Sequence, residues 1–131
     1  MSRSATAADY MSSKLITLAP DMDIHGAMRV LLSNRISGAP VIDAEGNLVG
    51  ILSKKDCLKV AFDASYHKEW GGRVAEFMSR EVQTVEAEMD VVEVAERFLK
   101  GPFRRFPVMS GSRLVGQISR HDVLRALDEL W

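Results

Sequence analysis

Two short motifs of the same form stand where this chain could do chemistry. Each has a serine followed three residues later by an aspartate: Ser53 with Asp56, and Ser119 with Asp122. This spacing is typical of a helix start, where the serine caps backbone N–H groups and the acid favours the positive end of the helix dipole. The same geometry lets a carboxylate accept both hydroxyls of a ribose, while the serine and the open N–H groups suit a phosphate. The residues alone leave both interpretations open.

Two adjacent arginines are the other chemically suggestive feature. Arg104 and Arg105 lie between Phe103 and Phe106, and they are hard to explain as core residues. Guanidinium groups match phosphate oxygens in pairs, which favours a phosphate clamp. The alternative is a solvated loop, because exposed arginines are common.

The motifs belong to a sequence that occurs twice. Met11 corresponds to Met78 at an offset of 67 residues, and Gly50 corresponds to Gly116 at an offset of 66. The second copy therefore lacks one residue of a hairpin loop, where changes of length are tolerated. Because both copies show the same pattern, each local prediction is stronger than one copy would make it.

Each copy predicts the order strand, helix, strand, strand, helix, and hence an α/β fold. The first helix follows Asp23 or Asp90 and shows the i, i+3, i+4, i+7, i+8 spacing of one buried face, while Asp90 and Glu93 resemble a capping box. A copy of about 50 residues buries little apolar surface alone, so the two copies are expected to pack sheet against sheet. The positions expected on the buried face of the first helix are Ile24, Ala27, Met28, Leu31 and Leu32 in the first copy, and Val91, Val94, Ala95, Phe98 and Leu99 in the second. The closing helix carries the apolar residues Leu58, Ala61 and Phe62 in the first copy, and Val123, Leu124 and Leu127 in the second.

Length and composition exclude several classes of protein. With 131 residues and a formal net charge of −1, the chain lacks the basic balance of a dedicated nucleic-acid binder. Its single cysteine, Cys57, rules out an intrachain disulfide and a multi-cysteine metal site, and it reads as a small buried hydrophobe. No apolar run is long enough to insert into a membrane, and no secretory signal is evident, so a cytoplasmic location is expected.

The duplication also predicts the domain boundaries. Residues 1–9 are expected to be a flexible, frayed N-terminus, residues 10–62 the first repeat, residues 63–76 a linker and residues 77–131 the second repeat. Trp70 in the linker and Trp131 at the end of the chain are candidates for contact with a partner chain.

Both copies share three marks in the same order. These are the openings Ile16-Thr17 and Gln83-Thr84, the strand starts Gly38-Ala39-Pro40-Val41 and Arg105-Phe106-Pro107-Val108, and the two Ser-x-x-Asp helix starts. No single motif is specific, but their order, repeated twice, is. The repeated pattern resembles the CBS domain, and two copies in tandem resemble a CBS pair, also called a Bateman module. The similarity covers about residues 10 to 128.

The resemblance implies a regulatory module that binds adenosine-type nucleotides in clefts between the repeats. Each cleft would take its ribose acid from one repeat and its base and phosphate contacts from the other. The first would be rich in cations and prefer phosphorylated adenosine, whereas the second would be more neutral. The first set is Ser53, Lys54, Lys55 and Asp56 with Val82, Thr84, Arg104, Arg105, Phe106 and Pro107; the second is Ser119, Arg120, His121 and Asp122 with Ile16, Thr17, Ser37, Gly38, Ala39 and Pro40.

The expected function is therefore a stand-alone sensor of AMP, ADP or ATP that needs no cofactor or metal and catalyses no reaction. It would act as a homodimer on an effector protein that the sequence does not name. The alternatives are a constitutive dimerisation scaffold with empty clefts, or a sensor of S-adenosylmethionine or NAD. An enzyme such as a nucleotide hydrolase is disfavoured, because no catalytic base or metal set accompanies the ribose acids.

Overall fold

A computed structural model describes residues 4–67 and 71–131. Trp70, one of the two predicted partner contacts, lies outside the described residues. The helices and strands are α1 (Ala7–Tyr10), α2 (Ile24–Asn34), β1 (Gly38–Ile42), β2 (Leu48–Ser53), α3 (Lys54–His67), α4 (Val74–Phe77), β3 (Val85–Glu86), α5 (Val91–Leu99), β4 (Arg105–Ser110), β5 (Arg113–Ser119) and α6 (Arg120–Leu130).

The contacts divide the chain into two compact units, and each unit has its own apolar core. The first unit comprises residues 16–67 and 71–82, and the second comprises residues 4–15 and 83–131. The core of the first unit is built around Leu31, Val41 and Leu52, and that of the second around Phe106, Val108 and Ile118. The duplicated sequence thus yields two separately packed bodies.

Each unit contains one antiparallel hairpin flanked by helices. In the first unit β1 pairs with β2, and Leu18 forms a single parallel bridge to Val41. In the second unit β4 pairs with β5 in the same way, and β3 pairs in parallel with β4. The predicted first strand is therefore a two-residue strand in one copy and a single bridge in the other.

The N-terminal segment packs with the second repeat, although it precedes the first in sequence. Ser12 and Gln117 exchange two backbone hydrogen bonds of 2.9 Å, and Ala7 and Ala5 are buried. Residues 4–9, expected from the sequence to be frayed, therefore include the start of α1 and part of a core. The contacts also place residues 10–15 in the second unit, whereas the duplication in the sequence placed them in the first repeat.

A matching segment at α4 packs with the first repeat. Ser79 and Ile51 exchange two backbone hydrogen bonds of 2.9 Å, and the N–H of Val74 donates to the carbonyl oxygen of Met22 over 2.9 Å. The stretch predicted as a linker up to residue 76 thus includes a helix that belongs to the first unit. Sequence similarity identifies the copies, but hydrogen bonds between distant residues decide which body each segment joins.

Two glycines make these close approaches possible. A Cβ atom at Gly116 would lie 2.5 Å from Met11 Sδ and 2.8 Å from the carbonyl oxygen of Ser12. At the equivalent Gly50 it would lie 2.6 Å from Met78 Sδ, and also 2.8 Å from a backbone oxygen. Any larger residue would push the segment that packs on the hairpin, Met11-Ser12 or Met78-Ser79, away from it. Both copies therefore have glycine at this position for the same steric reason.

Two of the three apolar residues that mark α3 in the sequence do not face the core. Leu58 is 69% exposed and Phe62 is also exposed, while the buried residues of this helix are Cys57, Val60 and Ala64. In α6 the core takes Val123 and Ala126, and Leu124 is 68% exposed. Leu32 near the end of α2 and Leu99 at the end of α5 are likewise exposed. Apolar spacing alone does not distinguish two adjacent faces when both carry leucine.

The helix caps largely follow the sequence. Asp23 accepts from the N–H of Gly26 at 3.0 Å, and Asp90 accepts from the N–H of Val92 at 2.7 Å. The reciprocal bond predicted for Glu93 is not formed within the described part of the chain. The Asp90 carboxylate thus caps α5 without completing the box.

Candidate functional site

The first Ser-x-x-Asp motif lies where β2 runs directly into α3. Asp56 Oδ2 accepts from the backbone N–H of Ser53 and from its hydroxyl, each at 2.9 Å, and Ser53 Oγ accepts from the N–H of Asp56 at 3.1 Å. These reciprocal bonds confirm the predicted helix cap. The second carboxylate oxygen, Asp56 Oδ1, accepts no hydrogen bond from any residue that the structure describes, and the side chain is half-buried.

The second motif repeats this local geometry at the junction of β5 and α6. Asp122 Oδ2 accepts from the N–H of Ser119 at 2.9 Å and from its hydroxyl at 3.0 Å, while Ser119 Oγ accepts from the N–H of Asp122 at 3.2 Å. The difference lies at the other oxygen. Asp122 Oδ1 is 3.6 Å from a guanidinium nitrogen of Arg125, so this carboxylate has a cationic partner.

Arg125 is held by the N-terminal segment of the second unit. Its guanidinium carbon lies 5.0 Å from the centre of the Tyr10 ring, and Nη2 donates to the carbonyl oxygen of Tyr10 at 3.3 Å. The Tyr10 hydroxyl donates to Glu129, and this hydrogen bond raises the pKa of Tyr10 above its ordinary value of 10.0. In the first unit Lys59 stands three residues after Asp56, and its side chain forms no hydrogen bond or ion pair with another described residue.

The first unit brings its strand start to its Ser-x-x-Asp motif. Gly38 is paired with Ser53 across the hairpin, and the N–H of Lys54 donates to the carbonyl oxygen of Ser37 at 2.8 Å. A Cβ atom at Gly38 would lie 3.1 Å from the carbonyl oxygen of Leu52, so backbone packing is tight here. Lys54 itself is exposed, as is Lys55 beside it.

The opening of the first repeat reaches the same strand. Leu18 donates its N–H to the carbonyl oxygen of Pro40 at 2.9 Å, which places the half-buried Ile16 and Thr17 just before this contact. Ala39 and Pro40 are buried, so contacts from these positions to a ligand would be made by backbone.

The second unit builds the equivalent junction with arginines. Arg105 is paired with Ser119, and the N–H of Arg120 donates to the carbonyl oxygen of Arg104 at 3.3 Å. Arg120 Nε also donates to the carbonyl oxygen of Phe103 at 2.8 Å. Three arginines thus stand at the end of the hairpin where the first unit has Ser37, Gly38 and Lys54.

Arg105 carries a buried donor with no partner. The side chain is partly buried, and Nε makes no hydrogen bond to any described residue. An unpaired buried donor costs about 1–3 kcal/mol relative to a satisfied one. This nitrogen therefore suits an acceptor such as a phosphate oxygen, which guanidinium groups bind well.

Several predicted ligand residues take structural positions in the second unit. Phe106 is 1% exposed, with its ring centre 4.5 Å from that of Phe98 and 5.1 Å from that of Phe103. Pro107 is buried beside it, and the carbonyl oxygen of Thr84 accepts from Arg97 Nη1 at 3.1 Å. Phe106 is thus a core residue whose route to a ligand is its backbone.

The remaining predicted residues lie at the edges of these junctions. His121 is exposed in the first turn of α6, and Val82 is half-buried near the end of the first unit. Within each unit, the structure thus joins the strand start and the Ser-x-x-Asp motif of the same repeat.

Sequence reasoning missed the group around Arg125. The available signal was the spacing of three residues between Asp122 and Arg125, which allows an ion pair on one helix face. Asp56 and Lys59 show the same spacing without forming a pair, so this signal does not distinguish the two copies.

Cys57, next to Asp56, is 4% exposed, and the prediction of a small buried hydrophobe is confirmed. Burial raises the pKa of its thiol, and the neighbouring Asp56 carboxylate acts in the same direction. Elsewhere along the described residues, no helix has the length and apolar character that crossing a membrane requires.

Comparison with known proteins identifies the repeats. The sequence model of the CBS domain matches residues 7–63 and 74–129. The chain is 29% identical over 149 residues to the CBS domain-containing protein CBSX1, chloroplastic, of Arabidopsis thaliana, covering 92% of this chain and 63% of that protein. It is also 28% identical over 123 residues to the uncharacterized protein MJ1225 of Methanocaldococcus jannaschii, where the match covers 94% of this chain but 43% of the relative.

Some relatives are much longer. The A-adding tRNA nucleotidyltransferase of Geobacter sulfurreducens is 36% identical over 121 residues, which is 92% of this chain and 13% of that enzyme. The chain therefore spans less than half the length of MJ1225 and about an eighth of the nucleotidyltransferase.

Solved structures of similar length share the fold. The structure of CBSX2 in complex with AMP superposes with a TM-score of 0.82 at 28% identity, covering 95% of this chain and 96% of that one. The CBS domain pair of protein MJ0100, in complex with 5′-methylthioadenosine and S-adenosyl-L-methionine, superposes with a TM-score of 0.78 at 26% identity, covering 97% and 98%. The predicted mixed α/β fold with two repeats is confirmed, and the chain belongs to the CBS domain family as a tandem pair.

Proposed function

We propose that this chain is a regulatory CBS pair that binds AMP, ADP or ATP without turnover and passes its bound state to a partner protein. The observation that carries the proposal is the Asp56 carboxylate at the N-terminus of α3. One of its oxygens is engaged by Ser53, and the other accepts no bond from a described residue. A half-buried carboxylate with an open acceptor suits the hydroxyl groups of a ribose.

Arg105 supplies the second part of the proposal. Its buried Nε lacks an acceptor, and Arg104 and Arg120 add positive charge at the same end of the hairpin. A phosphate would satisfy the unpaired donor and be held by charge-assisted bonds. We assign ribose contacts to Asp56 and Asp122, phosphate contacts to the arginine pair, and close approach of backbone to a base to Gly38.

The ligands bound in similar structures support an adenosine ligand in general. One structural neighbour was solved with AMP, and another with 5′-methylthioadenosine and S-adenosyl-L-methionine. We favour phosphorylated adenosines for this chain because the positive charge of Arg104, Arg105 and Arg120 suits a phosphate. For the ligand to act as a signal, it must bind one conformational state of the module more tightly than another.

A thermal-shift series with AMP, ADP, ATP, NAD and S-adenosylmethionine tests the proposal on the purified chain. A ligand at one hundred times its Kd stabilises the folded state by about 2.7 kcal/mol, so we expect the Tm to rise by several degrees with the phosphorylated adenosines. Asp56→Ala and Arg105→Ala should abolish or strongly reduce that ligand-induced rise. Arg113→Ala, which removes an exposed arginine from the far end of the same hairpin, is the matched control and should keep it.

The possible outcomes separate the alternatives. A rise with S-adenosylmethionine alone would contradict the preference for phosphate and move the assignment to the neutral set around Gly38. Equal ligand shifts in the parent chain and in Asp56→Ala would refute the site. No shift with any ligand, from protein verified to be ligand-free, would leave a scaffold as the better function.

Self-association of the chain is favoured by a separate observation. Leu32 and Leu58 are exposed in the first unit, and their equivalents Leu99 and Leu124 are exposed in the second. Because the same leucine pair recurs on both repeats, we propose that a second copy of the chain covers them. Such a repeated apolar surface suits a symmetric homodimer.

Sedimentation of the parent chain and of the double variant Leu58→Lys/Leu124→Lys tests this. We expect the parent to sediment as a dimer and the variant as a monomer with unchanged circular dichroism, because neither leucine belongs to a core. Glu45→Lys, in an exposed loop, controls for added charge. A parent chain that stays monomeric at high concentration would contradict the dimer, and with it the scaffold alternative.

A further inference from the structure

We propose that Arg125 is a positioning residue that weakens ribose binding at Asp122, so that Asp56 is the stronger ribose acceptor of the two. This inference rests on the proposed binding of adenosine ligands and assigns unequal strengths to the two motifs. The two motifs are equivalent in the repeat pattern, so the difference in strength comes from residues outside the motifs.

The local geometry of the motifs isolates the difference. Both aspartates are half-buried, and both use Oδ2 for the serine N–H and hydroxyl at 2.9–3.0 Å. Oδ1 is the oxygen that remains for an incoming hydroxyl. At Asp122 it lies 3.6 Å from Arg125 Nη2, whereas at Asp56 it accepts nothing from a described residue.

Contacts outside the helix keep Arg125 in this place. The guanidinium group stacks on the Tyr10 ring at 5.0 Å and donates to the Tyr10 carbonyl oxygen. Glu129 accepts the Tyr10 hydroxyl and thereby fixes the ring from the next turn of α6. Arg125 is therefore tied to Asp122 on one side and to α1 on the other, and it gives up contacts if it moves.

The first unit offers a natural comparison. Lys59 occupies the position equivalent to Arg125, and Phe77 occupies that of Tyr10. Phenylalanine has no hydroxyl, and the Lys59 side chain forms no hydrogen bond or ion pair with a described residue. A lysine at this position carries the same charge but lacks the planar group that stacks on an aromatic ring and donates in two directions.

The consequence for a ligand follows from competition at one oxygen. A ribose hydroxyl that donates to Asp122 Oδ1 must displace Arg125 or share its acceptor. The pair is partly exposed, with side-chain exposures of 47% for Arg125 and 18% for Asp122, so the effect is modest. An ion pair of this kind corresponds to about a twofold to fivefold change in Kd.

The experiment isolates the Asp122 motif by working in the Asp56→Ala background. The probe is 5′-methylthioadenosine, because it carries a ribose and no phosphate, and Kd is measured by titration calorimetry. We expect Arg125→Gln to lower Kd by about twofold to fivefold, and Arg125→Lys to fall between the parent and Arg125→Gln. Lys59→Gln is the matched control from the other repeat and should leave Kd unchanged.

Salt dependence separates electrostatic positioning from a structural effect. Raising NaCl from low concentration should tighten binding of this uncharged probe when Arg125 is present, because an exposed ion pair is screened by salt. The same salt series should have little effect in Arg125→Gln. A change in packing alone would alter Kd without creating this difference between the two salt series.

Two results would overturn the inference. One is an unchanged or higher Kd in Arg125→Gln while the Tm of the ligand-free variant equals that of its parent. The other is loss of the tightest AMP site in Asp122→Ala together with its retention in Asp56→Ala. If the parent chain binds neither AMP nor 5′-methylthioadenosine, the proposed function itself fails, and the inference falls with it.

Discussion

The two Ser-x-x-Asp motifs share every local hydrogen bond and differ in whether a distant segment holds a cation beside the aspartate. Ser53 and Asp56 form the same reciprocal cap as Ser119 and Asp122, with matching distances. Among the residues that the structure describes, only the second aspartate has a cationic partner, Arg125, and that cation is held by Tyr10 from α1. Duplicated sequence therefore reproduces the helix start, while the segment that packs against it decides the electrostatics of the acid.

The cores of the two units differ in a similar way. Phe106 fills the centre of the second core between Phe98 and Phe103, whereas the equivalent position in the first unit holds the small residue Ala39. The same hairpin thus carries a large aromatic residue in one copy and a methyl group in the other. Three predictions use pairs of equivalent positions to break or sharpen these comparisons, and a fourth tests the tyrosine that holds Arg125.

The largest effect is expected at Phe106. Phe106→Ala should lower the free energy of unfolding by about 3–5 kcal/mol, because a 1% exposed aromatic side chain leaves a cavity that its neighbours fill only in part. Chemical denaturation monitored by circular dichroism measures this. Ala39→Gly, at the equivalent position, is the control for disturbing the strand and should cost far less; equal losses would show that the two cores are alike.

The second largest effect is expected at the two glycines that contact Met11-Ser12 and Met78-Ser79. Gly116→Ala and Gly50→Ala should each destabilise the chain by about 1–3 kcal/mol, because the new Cβ would lie within 2.8 Å of a backbone oxygen. Gly26→Ala in α2 is the matched control, since the nearest atom would be 3.8 Å away, and it should stabilise by up to about 1 kcal/mol. Gly116→Ala with parental stability would contradict the close packing of Met11.

The serines should behave alike. Ser53→Ala and Ser119→Ala each remove a cap and should each cost about 1 kcal/mol of unfolding free energy. Thermal unfolding of the two variants under identical conditions is the measurement. A cost found at only one serine would mean that the shared geometry does not carry equal stability, and the comparison of the aspartates would lose its basis.

The smallest effect concerns the tyrosine that holds Arg125. The hydrogen bond to Glu129 raises the pKa of Tyr10, so its contribution is present below the ordinary value of 10.0 and is lost as pH rises through the folded-state pKa. Ultraviolet absorbance at alkaline pH follows the phenolate. We expect Glu129→Gln to shift one tyrosine transition to lower pH and Tyr10→Phe to remove it; an unchanged titration in Glu129→Gln would show that this bond does not form in solution.

Much of the fold followed from sequence because its signals are local. The start of α5 at Asp90 and the hairpins depend on residues a few positions apart, and they agree with the structure. The burial of Cys57, expected from its small apolar side chain, agrees as well. The face of α3 did not follow, since Leu58 and Phe62 are exposed although their spacing is that of a buried stripe. Apolar residues on a surface that the chain does not cover carry the same periodicity as a core.

The candidate site shows the same limit. The sequence identified Ser53, Asp56, Ser119 and Asp122 correctly as helix starts, and it also assigned ligand contact to Phe106, whose ring lies in the core. Whether the predicted sets bind a nucleotide stays a proposal for the experiments above. Side-chain burial is set by neighbours from other elements, which a motif does not contain.

By itself, the sequence determined the duplication, the order of elements in each repeat and the two helix caps. The caps depend on bonds between residues three positions apart, which the geometry of the chain brings together wherever the pattern occurs. Only the tertiary structure decided that α1 packs with the second repeat and that Arg125, not Lys59, meets an aspartate. Asp122 and Tyr10 are 112 positions apart in sequence, and only folding places the ring that holds Arg125 beside that acid.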